Sequence, residues 1–114
     1  MKLYGIKNCN AVKKGCEFVA NLGFEYEFLD IKKLDEATLK SWLKQKSFDT
    51  LINTAGLSAK KIGLTKDKVA NLSKSTSGQA ELKTLILQSP TLIKRPVIEH
   101  NGQIFVGKEY ESLG

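Results

Sequence analysis

The chain is poor in the residues that most metal and nucleophile sites are built from. It has 114 residues, with two cysteines, one histidine, one arginine and one tryptophan. A single histidine, His100, supports neither a His-based metal site nor a Cys–His catalytic pair. The position three after Cys9 is Val12, so there is no C-x-x-C dithiol. Nowhere do about 18 apolar residues run together, which argues against a membrane span. The opening Met1-Lys2-Leu3-Tyr4-Gly5 lacks the apolar run of a signal peptide. With two cysteines and no export signal, the expected compartment is the reducing cytoplasm. Length and composition suit a single domain over residues 1–114 that needs neither disulfides nor a metal to fold.

Basic charge is abundant and nearly all of it is lysine. The net charge is +6, and 17 of the 18 basic residues are lysine. They are spread along the chain with Asp and Glu between them, which describes a solvated lysine surface better than a nucleic-acid stripe. No direct nucleic-acid partner is expected.

Leu3-Tyr4-Gly5-Ile6-Lys7-Asn8-Cys9 reads as a short buried strand, a turn, and a cysteine at the start of a helix. Unpaired amides and the helix dipole favour negative charge there. A free thiol titrates near ~8.5, and such a position commonly lowers it to roughly 3.5–7.5. Lys7, Lys13 and Lys14 add positive potential. Cys9 is therefore the candidate nucleophile; the alternative is an inert, buried apolar residue. The helix should run from about Asn10 to Leu22, with Gly23 closing it and Val12, Cys16, Val19 and Leu22 on one face. Cys16 reads as structural. Seven helical residues span ~10.5 Å, beyond the ~7 Å limit for a disulfide, so Cys16 cannot resolve an adduct on Cys9.

Glu25 to Asp30 alternates polar and apolar as a strand does, giving a parallel β-α-β unit. Asp35 caps a helix to about Lys46, with Leu39, Trp42 and Leu43 buried and Leu34 placed to staple against Leu39. From Phe48 to Ser89 short helices follow. Asn53-Thr54-Ala55-Gly56 is a turn, Thr65 caps a helix to Leu72, and residues 73–78 form a polar loop. Thr76 with Gln79 matches a capping box for the next helix. Val97 to His100, Asn101-Gly102 and Gln103 to Val106 carry the type I′ hairpin signature. Before the hairpin stands Arg95, whose planar fork suits oxyanions and carboxylates.

With these residues in view, the chain resembles the ArsC-like family of glutaredoxin-coupled arsenate reductases and Spx-type regulators, its YffB-type branch above all. Asn8-Cys9 with Val12-Lys13-Lys14 and Pro90-Thr91-Leu92-Ile93-Lys94-Arg95-Pro96-Val97 carry the likeness. Trp42, Leu51-Ile52-Asn53 and Val106-Gly107 follow in the family's order. The resemblance implies a thioredoxin-like α/β fold, β-α-β plus β-β-α around a mixed sheet, with a helical insertion over about 35–89. It implies that Cys9 is the nucleophile and that Arg95 binds a small oxyanion or thiol substrate, ahead of Pro96 in a cis peptide. Asn8, Lys13 and Lys108 complete the expected anion-binding set. No bound cofactor and no metal are expected; glutathione or a glutaredoxin would be the external reductant and partner.

The chain also departs from the family pattern. Arsenate reductases of the family use three arginines, whereas here Asn53-Thr54, with Lys60 and Lys61 downstream, stand near the second position and Lys108 near the third. Lysine supplies charge without the bidentate fork. Ala11 replaces a common threonine, and Lys7 a common proline. Two alternatives belong to other classes. An Spx-type regulator would bind RNA polymerase, but that branch carries the C-x-x-C switch that Val12 breaks. A non-catalytic relative would keep the fold as an interaction module.

Overall fold

The computed structural model describes all residues from Met1 to Gly114. Two compact units are distinguished, Met1–Lys33 with Lys94–Gly114, and Leu34–Ile93.

The first unit is a four-stranded mixed sheet in the order β2-β1-β3-β4. β1 (Lys2–Gly5) pairs in parallel with β2 (Glu27–Asp30), placing Leu3 beside Phe28 and Tyr4 beside Leu29. Between these strands runs α1 (Asn10–Asn21). β1 also pairs antiparallel with β3 (Val97–His100), and β3 with β4 (Gln103–Val106). Asn101 (φ 50°) and Gly102 (φ 77°) are both left-handed, as a type I′ turn requires.

Because side chains alternate across a strand, Leu3, Phe28, Ile98 and Phe105 share one face. Against Leu3 and Ile98 pack Val12 and Val19 of α1, together with Tyr110 of the closing 3-10 helix, Gly107–Leu113. Phe18 and Tyr110 meet with ring centroids 5.2 Å apart. A Schellman pair ends α1: the Gly23 amide donates to Ala20 and the Phe24 amide to Val19. The strand after it begins two residues later than its alternation suggests, at Glu27, because Glu25 and Tyr26 lie outside the parallel ladder.

The second unit is helical. α2 (Glu36–Leu43) is capped by Asp35, whose carboxylate accepts the Thr38 amide at 2.8 Å. It stops three residues before the expected Lys46, as the Gln45 and Lys46 amides both turn back to the Trp42 carbonyl. Leu39 and Trp42 are fully buried, while Leu43 is only partly so. α3 (Phe48–Leu51), α4 (Leu57–Lys61) and α5 (Lys66–Leu72) follow, with Ser47 and Thr65 capping α3 and α5. The expected turn at Asn53 is an Asx turn, its side-chain oxygen accepting the Ala55 amide.

α6 (Thr76–Gln88) corrects one expectation. Thr76 is not its cap. Ser75 is, with its hydroxyl accepting the Gly78 amide at 3.0 Å. Gln79 does reach back, but its side chain donates to the Ser73 carbonyl. The polar loop therefore shrinks to three residues, because Ser75 is the residue with the extended backbone that a cap needs. Within this unit Ile52 bridges Ile93, and Ser58 hydrogen-bonds Thr91 at 2.6 Å. This helical unit spans Leu34–Ile93.

Candidate functional site

The turn after β1 delivers Cys9 to the N-cap of α1, with extended backbone (φ −112°, ψ 121°) and its carbonyl accepting the Lys13 amide. N-caps are ordinarily Ser, Thr, Asp or Asn, whose oxygens accept the amides of the second or third helical residue. Here a cysteine takes that place; it makes no side-chain cap hydrogen bond, but the Val12 and Ala11 amides favour its ionised form. Ala11 lacks the family's hydroxyl, but an amide is available from any residue other than proline.

Close approach fixes the distance between helix and strand. A Cβ at Gly5 would stand 2.7 Å from both methyl groups of Val12, so only glycine lets the first turn of α1 lie so near β1. One turn further on, a Cβ at Gly15 would stand 2.8 Å from Cγ of Pro96. The helix that carries the thiol therefore also seats the loop before β3.

That loop brings in the arginine. Arg95–Pro96 is a cis peptide, and the Pro96 carbonyl accepts the Gly107 amide at 2.9 Å. Arg95 is half-buried, and its guanidinium favours the ionised form of Cys9 both as a donor and as a charge. Partial burial of the thiol opposes ionisation. The Val12 amide, the Arg95 hydrogen bond, the Ala11 amide and the Arg95 charge together outweigh it, holding Cys9 below the ordinary thiol range. Cys9 is half-buried. Such an arrangement stabilises a thiolate and can offer it to an incoming electrophile.

The other expected site residues lie elsewhere around this centre. Asn8 is exposed and lines a cavity with Lys7, Lys32 and Lys33. Lys13 lines a second cavity, beside Cys16 and Tyr26. Lys108 is exposed in the closing 3-10 helix, and no hydrogen bond or ion pair ties it to Cys9. Cys16 packs at the edge of the core, where it hydrogen-bonds Tyr26 and with partial burial pushes that phenol up. Tyr26, Lys32 and Lys33 carried no signal beyond an alternating strand and a lysine pair at its end. No group of three or more His, Cys, Asp or Glu side chains is placed to hold a metal.

A β-α-β unit and a β-hairpin in one mixed sheet, with a cysteine at the first helix and a cis-proline opposite, define a thioredoxin-like protein. Residues 4–114 match the ArsC family, and the chain belongs to it. It is 32% identical to an uncharacterized protein of Haemophilus influenzae, over 96% of this chain and 95% of that one. An arsenate reductase (ArsC) related protein from Brucella melitensis is similar in structure, with a TM-score of 0.72 and 34% identity over 97% of this chain and 91% of that one. A protein named YffB superposes with a TM-score of 0.78 at 32% identity, covering 97% of this chain and 96% of its own.

Proposed function

We propose that this protein is a thiol-dependent oxidoreductase of the arsenate-reductase type, working through the single thiolate of Cys9 and regenerated by glutathione or a glutaredoxin. The observation that carries this reading is Cys9 at the N-cap of α1, its thiol held below the ordinary range by the Val12 and Ala11 amides and the Arg95 guanidinium. Similarity to the Brucella melitensis ArsC-related protein supports it.

With a disulfide substrate, the Cys9 thiolate attacks one sulfur, a new S–S bond forms, and the other sulfur leaves as a thiolate with the bonding pair. A second, external thiolate then attacks the mixed disulfide and releases Cys9. Arg95 stabilises the Cys9 anion before attack and again when it leaves. An oxyanion substrate would meet one guanidinium, which provides one bidentate contact. Lys13 and Lys108 contribute only longer-range positive potential. A regulator of the Spx type needs a second thiol where Val12 stands, and Val12 is core, 1% exposed.

The test is turnover of a low-molecular-weight disulfide and of arsenate, each with glutathione alone and with glutaredoxin added. Cys9→Ser should lose all turnover and Cys16→Ser should keep it. Equal activity in wild type and Cys9→Ser, or a wild type that neither turns over nor forms a mixed disulfide, removes the proposal.

A further inference from the structure

The sheet face under α1 is unevenly covered. Leu3 of β1 and Ile98 of β3 are fully buried there, whereas Phe28, paired with Leu3 on β2, is only half-buried. β2 is an edge strand, so no further strand extends the layer past Phe28. At this margin lies a cavity of about 450 Å³. Cavities of roughly 300–1,000 Å³, walled by apolar and aromatic side chains with a few charged groups, are the usual seats of small organic ligands.

Two elements supply the walls. Lys13, Cys16 and Glu17 fall at i, i+3 and i+4 of α1 and so form one stripe of the helix. The other wall is the rings of Tyr26 and Phe28, both half-buried. A ligand that covers the open parts of the two rings and the thiol removes apolar surface from water. An aromatic ligand gains more, since it can meet such rings offset or edge-on and take the sulfur at its ring edge.

Charge gives the cavity a direction. Lys7 precedes α1 and Lys13 lies in its first half, while Glu17 stands one turn beyond Lys13. Lys13 and Glu17 are exposed, and no ion pair joins them; lysine ahead of glutamate is the weaker order for such a pair on a helix. Two ammonium groups against one carboxylate leave the cavity net positive, and the helix dipole adds to the positive end. The complement is a molecule with a flat apolar body and one negative group. The lining contains neither Cys9, Arg95 nor Pro96, which sets this cavity apart from the reacting thiol.

We propose that the cavity between α1 and the β2 edge binds a small aromatic carboxylate, its ring against Tyr26 and Phe28 and its carboxylate toward Lys7 and Lys13. The site stands whether or not Cys9 reacts.

Amide chemical shifts of the wild-type protein would be followed with naphthoate, neutral naphthalenemethanol and cationic naphthylmethylamine. None of the three carries a sulfur or an electrophilic centre, so the result does not depend on Cys9. Naphthoate should bind tightest, with shifts centred on residues 12–17 and 26–28. Lys13→Gln should weaken naphthoate about two- to fivefold, the scale of one exposed charge pair, and leave naphthalenemethanol unchanged. Glu17→Gln should tighten naphthoate and weaken the amine by a similar factor. Cys16→Met, which puts a longer side chain into the cavity, should weaken all three. The preference for the carboxylate should fade toward 1 M salt, where the Debye length is about 3 Å. Shifts confined to other surfaces, the absence of saturable shifts, or a carboxylate bound no tighter than the alcohol and the amine would overturn the proposal.

Discussion

Replacing Arg95 with alanine tests the electrostatic account of the site most directly. A hydrogen bond to a charged group contributes about 1.5–3 kcal/mol when shielded. Cys9 is only partly buried, so solvent screening brings the contribution down toward the ~1 kcal/mol upper end for exposed pairs. With 1.4 kcal/mol per factor of ten, Arg95→Ala should lower the thiolate-to-thiol ratio about fivefold at any pH below the titration midpoint. The midpoint should move up toward the ordinary thiol value, with the Ala11 and Val12 amides still opposing the effect of burial.

Alkylation rates alone would understate the change, since a more basic thiolate is also a better nucleophile, with a Brønsted slope of about 0.4–0.5. The cleaner assay is thiolate absorbance against pH, with Cys9→Ser subtracted to remove Cys16 and the tyrosines. Arg95→Lys keeps the charge without the fork and should fall between the two. Stability carries the same signature. Between the lowered folded value and the unfolded thiol value near ~8.5, the unfolded chain binds more protons, so stability rises with pH across that window. It is lost as pH falls through the folded value. Coincident titrations of wild type and Arg95→Ala would refute the reasoning, as would a wild type titrating like a free thiol.

Gly15→Ala should destabilise the protein even though alanine favours helices by about 1 kcal/mol. Its Cβ would meet Pro96 at 2.8 Å, and overpacking of this kind costs about 1–3 kcal/mol; a variant with a raised denaturation midpoint would contradict the close approach. Ser75→Ala should cost about 1 kcal/mol as a lost cap and Thr76→Ala less than about 0.5. Urea denaturation of the two side by side would reverse that order if Thr76 were the cap.

What could be read in the sequence followed from how local each signal is. Asn101-Gly102 dictates its turn through two adjacent left-handed residues. Asp35 and Thr65 announce their helices because a cap acts over three residues. The distinction between Ser75 and Thr76 was harder, since three hydroxyl residues in a row offer the same chemistry and only the backbone angle selects one. Cys9 was legible as a helix-start thiol. That Arg95, 86 positions later in the numbering, reaches its sulfur depends on how the β3 loop seats on Gly15, and composition alone carries none of that. In sequence Lys32 and Lys33 are two members of a solvated lysine surface, and their convergence with Lys7 exists only once the two strands lie side by side.

The two cysteines stand on one helix about two turns apart, and this separation governs how the protein would recover after reacting. A group captured on Cys9 meets no neighbouring sulfur that could expel it. Release then becomes a bimolecular event, and its rate scales with whatever free thiol surrounds the molecule. Diluting that pool should leave the captured form long-lived enough to isolate and weigh.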